Sequence, residues 1–195
     1  MNKNLEKAIE VAKKGGIIIF PTDTVFGVGC RMDDERAVEK LFELRKRQKD
    51  KAVLVLASSI RMVEEYVGHF EIDVRELMKK YWPGALTLVL PAKVEKVPEL
   101  IRGGGKTIGI RIPDHDSILR VIRAVGVPIL GPSANFSGRK TPFKMSELDP
   151  DLIAMVDFVL PGRCKIKKPS TVLDVTKKPW KILRQGAVKV KLKTS

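Results

Sequence analysis

Cysteine is scarce in this sequence: Cys30 and Cys164 stand alone, without a CxxC pair or a nearby histidine. Neither a disulfide framework nor a zinc site is therefore expected, and this usage is typical of a reduced compartment. Long hydrophobic runs are also missing, because residues 52–57 and 85–90 fall far short of the roughly 20 residues that span a bilayer. The first sixteen residues lack the apolar core of a signal peptide. We expect a cytoplasmic protein without a membrane partner.

Negative charge is in short supply relative to positive charge. The chain has 37 Lys+Arg against 23 Asp+Glu, which gives a net charge of +14. Most of this excess lies in the C-terminal segment 161–195, which has eleven basic residues and one acid, Asp174. The charge favours polyanionic partners such as nucleic acid, nucleotides or anionic membrane, and does not choose among them.

Length and residue pattern predict the fold class. The 195 residues, 44% of them hydrophobic and 31% charged, suit one domain over residues 1–195. Helical spacing begins at Leu5 and ends before Gly15, and further helices are predicted at residues 33–44, 60–67, 74–81 and 117–125. Strands are predicted at residues 17–20, 52–57, 85–90, 107–112, 128–130, 171–175 and 181–183, with loops at residues 21–29 and 97–106. This alternation predicts an α/β domain with a twisted sheet of mixed parallel and antiparallel strands and flanking helices.

Three segments place polar groups at predicted strand or helix ends. Residues 22–29 offer hydroxyls and glycines, residues 45–51 offer cations suited to polyphosphate, and residues 131–138 offer two hydroxyls and an amide. Each also has an ordinary interpretation, as a strand-to-helix connection, a helix C-terminus or a turn. His69 and His115 are more typical of capping or core residues than of a catalytic base. The chain has no GxxxxGK[ST], GxGxxG, HExxH or GxSxG motif, so the residues alone indicate a basic domain that binds an anionic ligand.

Seven segments, in this order, resemble the YrdC/Sua5 family of threonylcarbamoyl-AMP synthases, from Gly16 to about Gly186. They are FPTDTVFG at 20–27, RKR at 45–47, WPGALT at 82–87, IRIP at 110–113, PILGPSANFSG at 128–138, PSTV at 169–172 and LRQG at 183–186. The resemblance implies a concave, positively lined cavity. It also implies that L-threonine, bicarbonate and ATP give threonylcarbamoyl-AMP and pyrophosphate. A tRNA threonylcarbamoyl-transferase machinery would then use the product to make N6-threonylcarbamoyladenosine in tRNAs that read ANN codons.

The resemblance also implies site residues. Threonine and its carbamate would be held by Thr24, Arg111, Ser133 and Ser170. ATP would be held by Arg45, Arg47, Lys51, Thr107, Asn135 and Arg184. Mg²⁺ would enter with the ATP phosphates, without a metal site built from protein ligands. The chain departs from the family pattern at Arg45, where Lys is usual, at Phe26, where Tyr is usual, and at Phe143, where Thr or Ser is common.

The resemblance is to the short, stand-alone form of the synthase. An alternative is a protein that binds double-stranded RNA or tRNA, or assists ribosome assembly, without catalysis. The charge supports that alternative, but aromatic residues make up only 6% of the chain. Such binding would therefore rest on phosphate contacts rather than on base stacking.

Overall fold

The computed structural model of the protein describes residues 2–191. Its helices are α1 Lys3–Lys13, α2 Glu35–Leu44, α3 Ile60–Tyr66, α4 Ile72–Tyr81, α5 Glu99–Arg102, α6 Asp116–Val125 and α7 Pro150–Met155. Its strands are β1 Ile18–Phe20, β2 Gly27–Gly29, β3 Leu54–Leu56, β4 Leu86–Pro91, β5 Thr107–Arg111, β6 Ile129–Leu130, β7 Phe158–Val159, β8 Thr171–Asp174 and β9 Lys181–Arg184. A 3₁₀ turn covers Met145–Glu147.

The strands form two sheets of mixed direction. Three strands lie in the order β2-β1-β7, and six lie in the order β6-β3-β5-β4-β8-β9. The β1–β7, β3–β5 and β4–β8 pairs are parallel, and the other pairs are antiparallel. The predicted α/β class with mixed strand direction is confirmed, although the strands divide between two sheets rather than forming one.

Several helix starts follow from side chains that cap free backbone N–H groups. Asn2, Asp34 and Ser59 accept hydrogen bonds from the first turns of α1, α2 and α3 at 3.0, 3.0 and 3.1 Å. The apolar faces of α1 and α6 then pack with β1 in one buried cluster, and α2 packs in a second, larger cluster around the six-stranded sheet. Among residues 2–191, no helix has both the length and the apolar character needed to cross a membrane.

Two predicted loops contain regular structure. The loop at residues 21–29 includes β2, because Val28 donates to Pro132 and the whole strand pairs with β1. The loop at residues 97–106, expected to be exposed, includes α5, where Ile101 is fully buried. The short elements α7 and β7 were not predicted, since their few residues do not establish a helical or strand period.

The two sheets approach closely at Gly29. A Cβ at this position would lie 1.7 Å from the carbonyl oxygen of Leu130 in β6. Isolated bridges also join Gly27 to Ser133 and Arg31 to Ile129. Glycine is therefore required at position 29, and the contact brings the chain after β1 next to the chain after β6.

Candidate functional site

A cavity of about 450 Å³ lies where the three segments singled out in the sequence meet. The β1–β2 turn, the segment after α2, the segment after β6 and strands β4, β5, β8 and β9 all contribute to its wall. Its volume is typical of a site for a small-molecule ligand. Eight of the ten predicted site residues line it: Thr24, Arg45, Arg47, Thr107, Arg111, Ser133, Ser170 and Arg184.

The Arg111 side chain is buried in the wall of this cavity and paired with Asp23. Its Nη1 donates to Asp23 Oδ1 at 2.9 Å, and its Nη2 donates to Thr24 Oγ1 at 2.8 Å and Thr22 Oγ1 at 3.2 Å. Burial lowers the pKa of Arg111, and the charge of Asp23 opposes this effect. The pair fixes the threonine hydroxyls relative to β5.

Thr22 shapes the turn that presents Thr24. Its Oγ1 donates to the carbonyl of Val25 at 2.7 Å and accepts from the backbone N–H groups of Thr24 and Val25, each at 3.1 Å. A threonine hydroxyl can replace backbone partners in a tight turn in this way. The hydroxyl-rich sequence after β1 therefore builds a rigid wall rather than a plain connection.

Arg45 is the C-terminal cap of α2, and its buried guanidinium lies in the cavity wall. Its Nε donates to the carbonyl of Asn135 at 3.1 Å, and its own carbonyl accepts from Ser137 at 3.0 Å. Among residues 2–191, Arg45 Nη1 has no hydrogen-bond partner. Burial, followed by the nearby charge of Arg47, lowers the pKa of Arg45 to about 10. The group is charged at neutral pH, and an anion in the cavity would complete its hydrogen bonds.

Arg47 lines the cavity and also donates hydrogen bonds to the loop before β3. Its Nε donates to the carbonyl of Lys51 at 3.2 Å, and its Nη2 donates to the carbonyl of Ala52 at 2.5 Å. Burial lowers the pKa of Arg47 as well. The side chain of Lys51, by contrast, is exposed and is not among the residues that line the cavity. Lys51 therefore contacts Arg47 through its backbone carbonyl and not through its side chain.

Asn135 also lies off the cavity wall. Its Oδ1 accepts from Ser133 Oγ, and its Nδ2 donates to the carbonyls of Phe136 at 2.9 Å and Arg139 at 2.7 Å. These bonds use both donors of the amide, so Asn135 shapes the loop that places Ser133 on the wall.

Ser170 is the residue directly before β8. Its Oγ is 2.8 Å from Thr87 Oγ1 and accepts from Arg184 Nη2 at 3.2 Å. Its carbonyl accepts from Arg184 Nε at 3.1 Å and Nη2 at 2.9 Å. Burial is the largest cause of the lowered pKa of Arg184, followed by the charge of Arg111.

Three residues of this site are not among those predicted from the sequence. Asp23, within the PTDT segment, supplies the charge partner of Arg111, and Thr87, the last residue of the WPGALT segment, supplies a partner for Ser170. Thr141 lines the cavity, whereas Phe143 does not, so this loop presents a hydroxyl two residues before the departure from the family pattern. The two motifs marked Asp23 and Thr87, but no local signal marked Thr141.

The wall combines four arginines with hydroxyl groups. Of the described residues that line the cavity, none is Asp, Glu or His. Residues 2–191 likewise contain no cluster of three His, Cys, Asp or Glu side chains that could hold a metal ion. This arrangement can bind a polyanion and hydrogen-bond its oxygens, and it offers no protein nucleophile with an adjacent base.

Sequence comparison identifies relatives over most of the chain. The Sua5/YciO/YrdC family model, described as "Telomere recombination", matches residues 10–186. A relative named threonylcarbamoyl-AMP synthase from Pyrococcus abyssi is 36% identical over 177 residues, covering 90% of this chain but 52% of its own length. The chain therefore spans about half the length of this relative. A relative of the same name from Vibrio campbellii is 32% identical and covers 94% of this chain and 100% of its own length.

The fold is also similar to solved structures. The structure of P. abyssi Sua5 complexed with L-threonine matches 93% of this chain and 54% of its own chain, with a TM-score of 0.89 and 34% sequence identity.

Proposed function

The chain belongs to the Sua5/YciO/YrdC family, and from this membership we propose that it synthesises threonylcarbamoyl-AMP from L-threonine, bicarbonate and ATP. The observation that carries the proposal is a cavity whose wall combines four arginines with hydroxyl groups, and in which Arg45 Nη1 has no hydrogen-bond partner among residues 2–191. Guanidinium and hydroxyl groups together suit substrates that include a polyphosphate and a hydroxy amino acid. The similarity to a Sua5 protein complexed with L-threonine supports the same assignment.

In this proposal two sets of residues bind different substrates. Thr24, Arg111, Ser133 and Ser170 hold threonine and its carbamate through hydroxyl and guanidinium donors. Arg45, Arg47, Thr107 and Arg184 hold ATP, and the unpartnered Nη1 of Arg45 donates to a phosphate oxygen. Lys51 acts on ATP through Arg47, which its carbonyl holds, and Asn135 acts on ATP through Arg45, whose Nε donates to the Asn135 carbonyl.

The chemistry needs two steps. The amine of threonine attacks the carbon of bicarbonate and water leaves, which gives a carbamate. A carbamate oxygen then attacks the α-phosphorus of ATP, the bond from this phosphorus to the bridging oxygen breaks, and pyrophosphate leaves with that electron pair. Negative charge grows on the leaving group, so fixed guanidinium groups stabilise the transition state. The protein contributes positioning and electrostatics.

The proposal also covers how Mg²⁺ is bound, where the protein acts and what uses its product. Because no carboxylate lines the cavity among the described residues, we propose that Mg²⁺ enters as MgATP, bound through phosphate oxygens. We propose a cytoplasmic location and use of the product by a tRNA threonylcarbamoyl-transferase machinery, which makes N6-threonylcarbamoyladenosine in ANN-reading tRNAs.

The test is substrate-dependent pyrophosphate release. The purified protein is incubated with MgATP, L-threonine and bicarbonate, and pyrophosphate is measured enzymatically while the adenylate is detected by mass spectrometry. We expect pyrophosphate and threonylcarbamoyl-AMP in equal amounts, and neither when L-threonine or bicarbonate is omitted or D-threonine replaces L-threonine. Pyrophosphate release that does not depend on L-threonine would contradict the proposal.

A further inference from the structure

Thr87 is a buried hydroxyl residue in the cavity wall. It lies on β4, between β5 and β8 in the sheet, and is 3% exposed. Its Oγ1 is 2.8 Å from Ser170 Oγ, and either oxygen can donate in this hydrogen bond. Ser170 Oγ also accepts from Arg184 Nη2 at 3.2 Å. The three residues form one chain of hydrogen bonds from the middle of the sheet to the exposed Arg184.

The direction of the Thr87–Ser170 hydrogen bond follows from the number of protons available. Each hydroxyl has one proton and two lone pairs, and a guanidinium can only donate. Within residues 2–191, Ser170 Oγ is the one hydrogen-bond partner of Thr87 Oγ1. If Ser170 donated, the buried Thr87 proton would have no acceptor in the protein, and an unpaired buried donor is destabilising.

The opposite direction satisfies both residues. Thr87 then donates to Ser170, which accepts from Thr87 and from Arg184 and has used both of its lone pairs. The remaining proton of Ser170 is left for a group in the cavity. Ser170 in this state is a donor only, so it matches an oxyanion and not an ammonium group.

We propose that Thr87 is a positioning residue that holds Ser170 as a hydrogen-bond donor to an oxyanion of the threonine-derived substrate. This inference rests on the proposed function. The oxyanion is the carboxylate of threonine or the carbamate formed from it. The two sources are distinguished by binding L-threonine with and without bicarbonate.

The experiment is a double-mutant cycle between Thr87 and Ser170. Thr87→Val removes the hydroxyl and keeps the branched shape, Thr87→Ser keeps the hydroxyl, and Ser170→Ala removes the group on which Thr87 acts. Dissociation constants for L-threonine and for ATP alone are measured by calorimetry, together with the KM for threonine in the presence of bicarbonate.

We expect Thr87→Val to weaken threonine binding about three- to tenfold, as for loss of one hydrogen bond, and to change ATP binding less than about twofold. Thr87→Ser should behave as the wild type. In the Ser170→Ala background, Thr87→Val should cause no further loss, because its effect passes through Ser170. If threonine affinity falls in the absence of bicarbonate, the oxyanion is the carboxylate of threonine. If only the KM for threonine in the presence of bicarbonate changes, the oxyanion is the carbamate.

Three results would overturn the inference while leaving the proposed function in place. They are an unchanged dissociation constant together with an unchanged KM for threonine in Thr87→Val, equal weakening of ATP and threonine binding, and additive losses in the double variant. A wild-type protein that binds no L-threonine would instead overturn the proposed substrate itself, and with it the inference. Urea unfolding checks each variant, and Thr87→Cys, whose thiol is a weak donor, replaces Thr87→Val if the latter does not fold.

Discussion

The guanidinium of Arg111 donates to the carboxylate of Asp23 at 2.9 Å, and the two side chains are only 2% and 1% exposed. The pair joins β5 to the turn after β1, the segment that carries Thr24. A buried ion pair adds little to stability relative to a well-packed apolar pair, but the loss of one partner leaves a buried charge uncompensated. The contact therefore fixes the geometry of the site more than it strengthens the fold.

Asp23→Asn should consequently be severely destabilising. We expect the free energy of unfolding to fall by roughly 3–5 kcal/mol, the usual cost of breaking a buried pair. Urea unfolding measures this change. Asp33→Asn is the matched control, because Asp33 pairs with Arg31 at 2.6 Å on the surface and should cost about 0–1 kcal/mol. Equal losses in both variants would show that Asp23 does not neutralise a buried charge.

Gly29 offers a test of the close contact between the two sheets. Gly29→Ala places a methyl group against the Leu130 carbonyl, and backbone cannot move aside as a flexible side chain can. Gly126→Ala is the control: Gly126 has φ +84° at the end of α6, with nothing within 4 Å of the added carbon. The control should lose about 1–2 kcal/mol from backbone strain, and Gly29→Ala should lose more. Gly29→Ala with a loss no greater than that of Gly126→Ala would contradict the described contact.

Sequence periodicity predicted the longer elements well and the short ones poorly. The helix predicted at residues 33–44 is α2, because its apolar spacing, its cap Asp34 and the acidic Glu35 in its first turn agree. β2 was predicted as loop, since Gly-Val-Gly has little strand preference and is held by pairing with β1 and by contact with Pro132. Tertiary contacts of this kind leave no local signal.

The candidate site was likewise predictable in part: its segments were predicted from the sequence, and the contacts between them were not. The motifs marked the segments that meet at the cavity, and eight of the ten predicted residues line it. Hydrogen-bond partners could not be read from the motifs, so the bonds of both Asn135 amide donors within its own loop were not predicted, and its assignment to ATP stays a prediction. Thr141 reaches the wall only through the path of the loop after Gly138.

His115 should make stability depend on pH. Burial is the main cause that lowers the pKa of His115 below its ordinary value of 6.5, and a hydrogen bond with the Arg163 backbone opposes the shift. The folded state therefore disfavours the protonated form, and this contribution to stability is present above pH 6.5 and is lost as pH falls through the folded-state pKa. The free energy of unfolding of His115→Asn should decrease less than that of the wild type between pH 7 and pH 5. Parallel pH profiles would contradict this assignment.

Arg45 should favour ligand binding at the expense of stability. Replacing it with Met keeps an unbranched side chain in the buried site and removes a cation with an unpartnered Nη1. We expect Arg45→Met to weaken ATP binding about tenfold or more, to leave L-threonine binding within about twofold, and to leave the unfolding free energy equal to or above that of the wild type. Calorimetry and urea unfolding measure these quantities.

The control for Arg45 is Arg36→Met, on the exposed side of α2, which should not change ATP binding. Arg45→Lys, which keeps the charge but loses the planar fork, should fall between the wild type and Arg45→Met. Equal weakening of ATP and threonine in Arg45→Met would show that Arg45 supports the whole site rather than the phosphates.

The basic segment next to the cavity provides a test of RNA binding. Four exposed cations precede Ser170, namely Arg163, Lys165, Lys167 and Lys168. If they contact tRNA phosphates, their joint replacement by Gln should weaken tRNA binding and flatten its salt dependence, by up to about 0.9 in the log–log slope for each lost contact. The matched control replaces four exposed lysines of α1 and its C-terminal cap, Lys3, Lys7, Lys13 and Lys14. Filter binding at several salt concentrations measures both variants. An equal loss in the two would assign the effect to net charge, and a wild-type affinity that ignores salt would exclude phosphate-led binding.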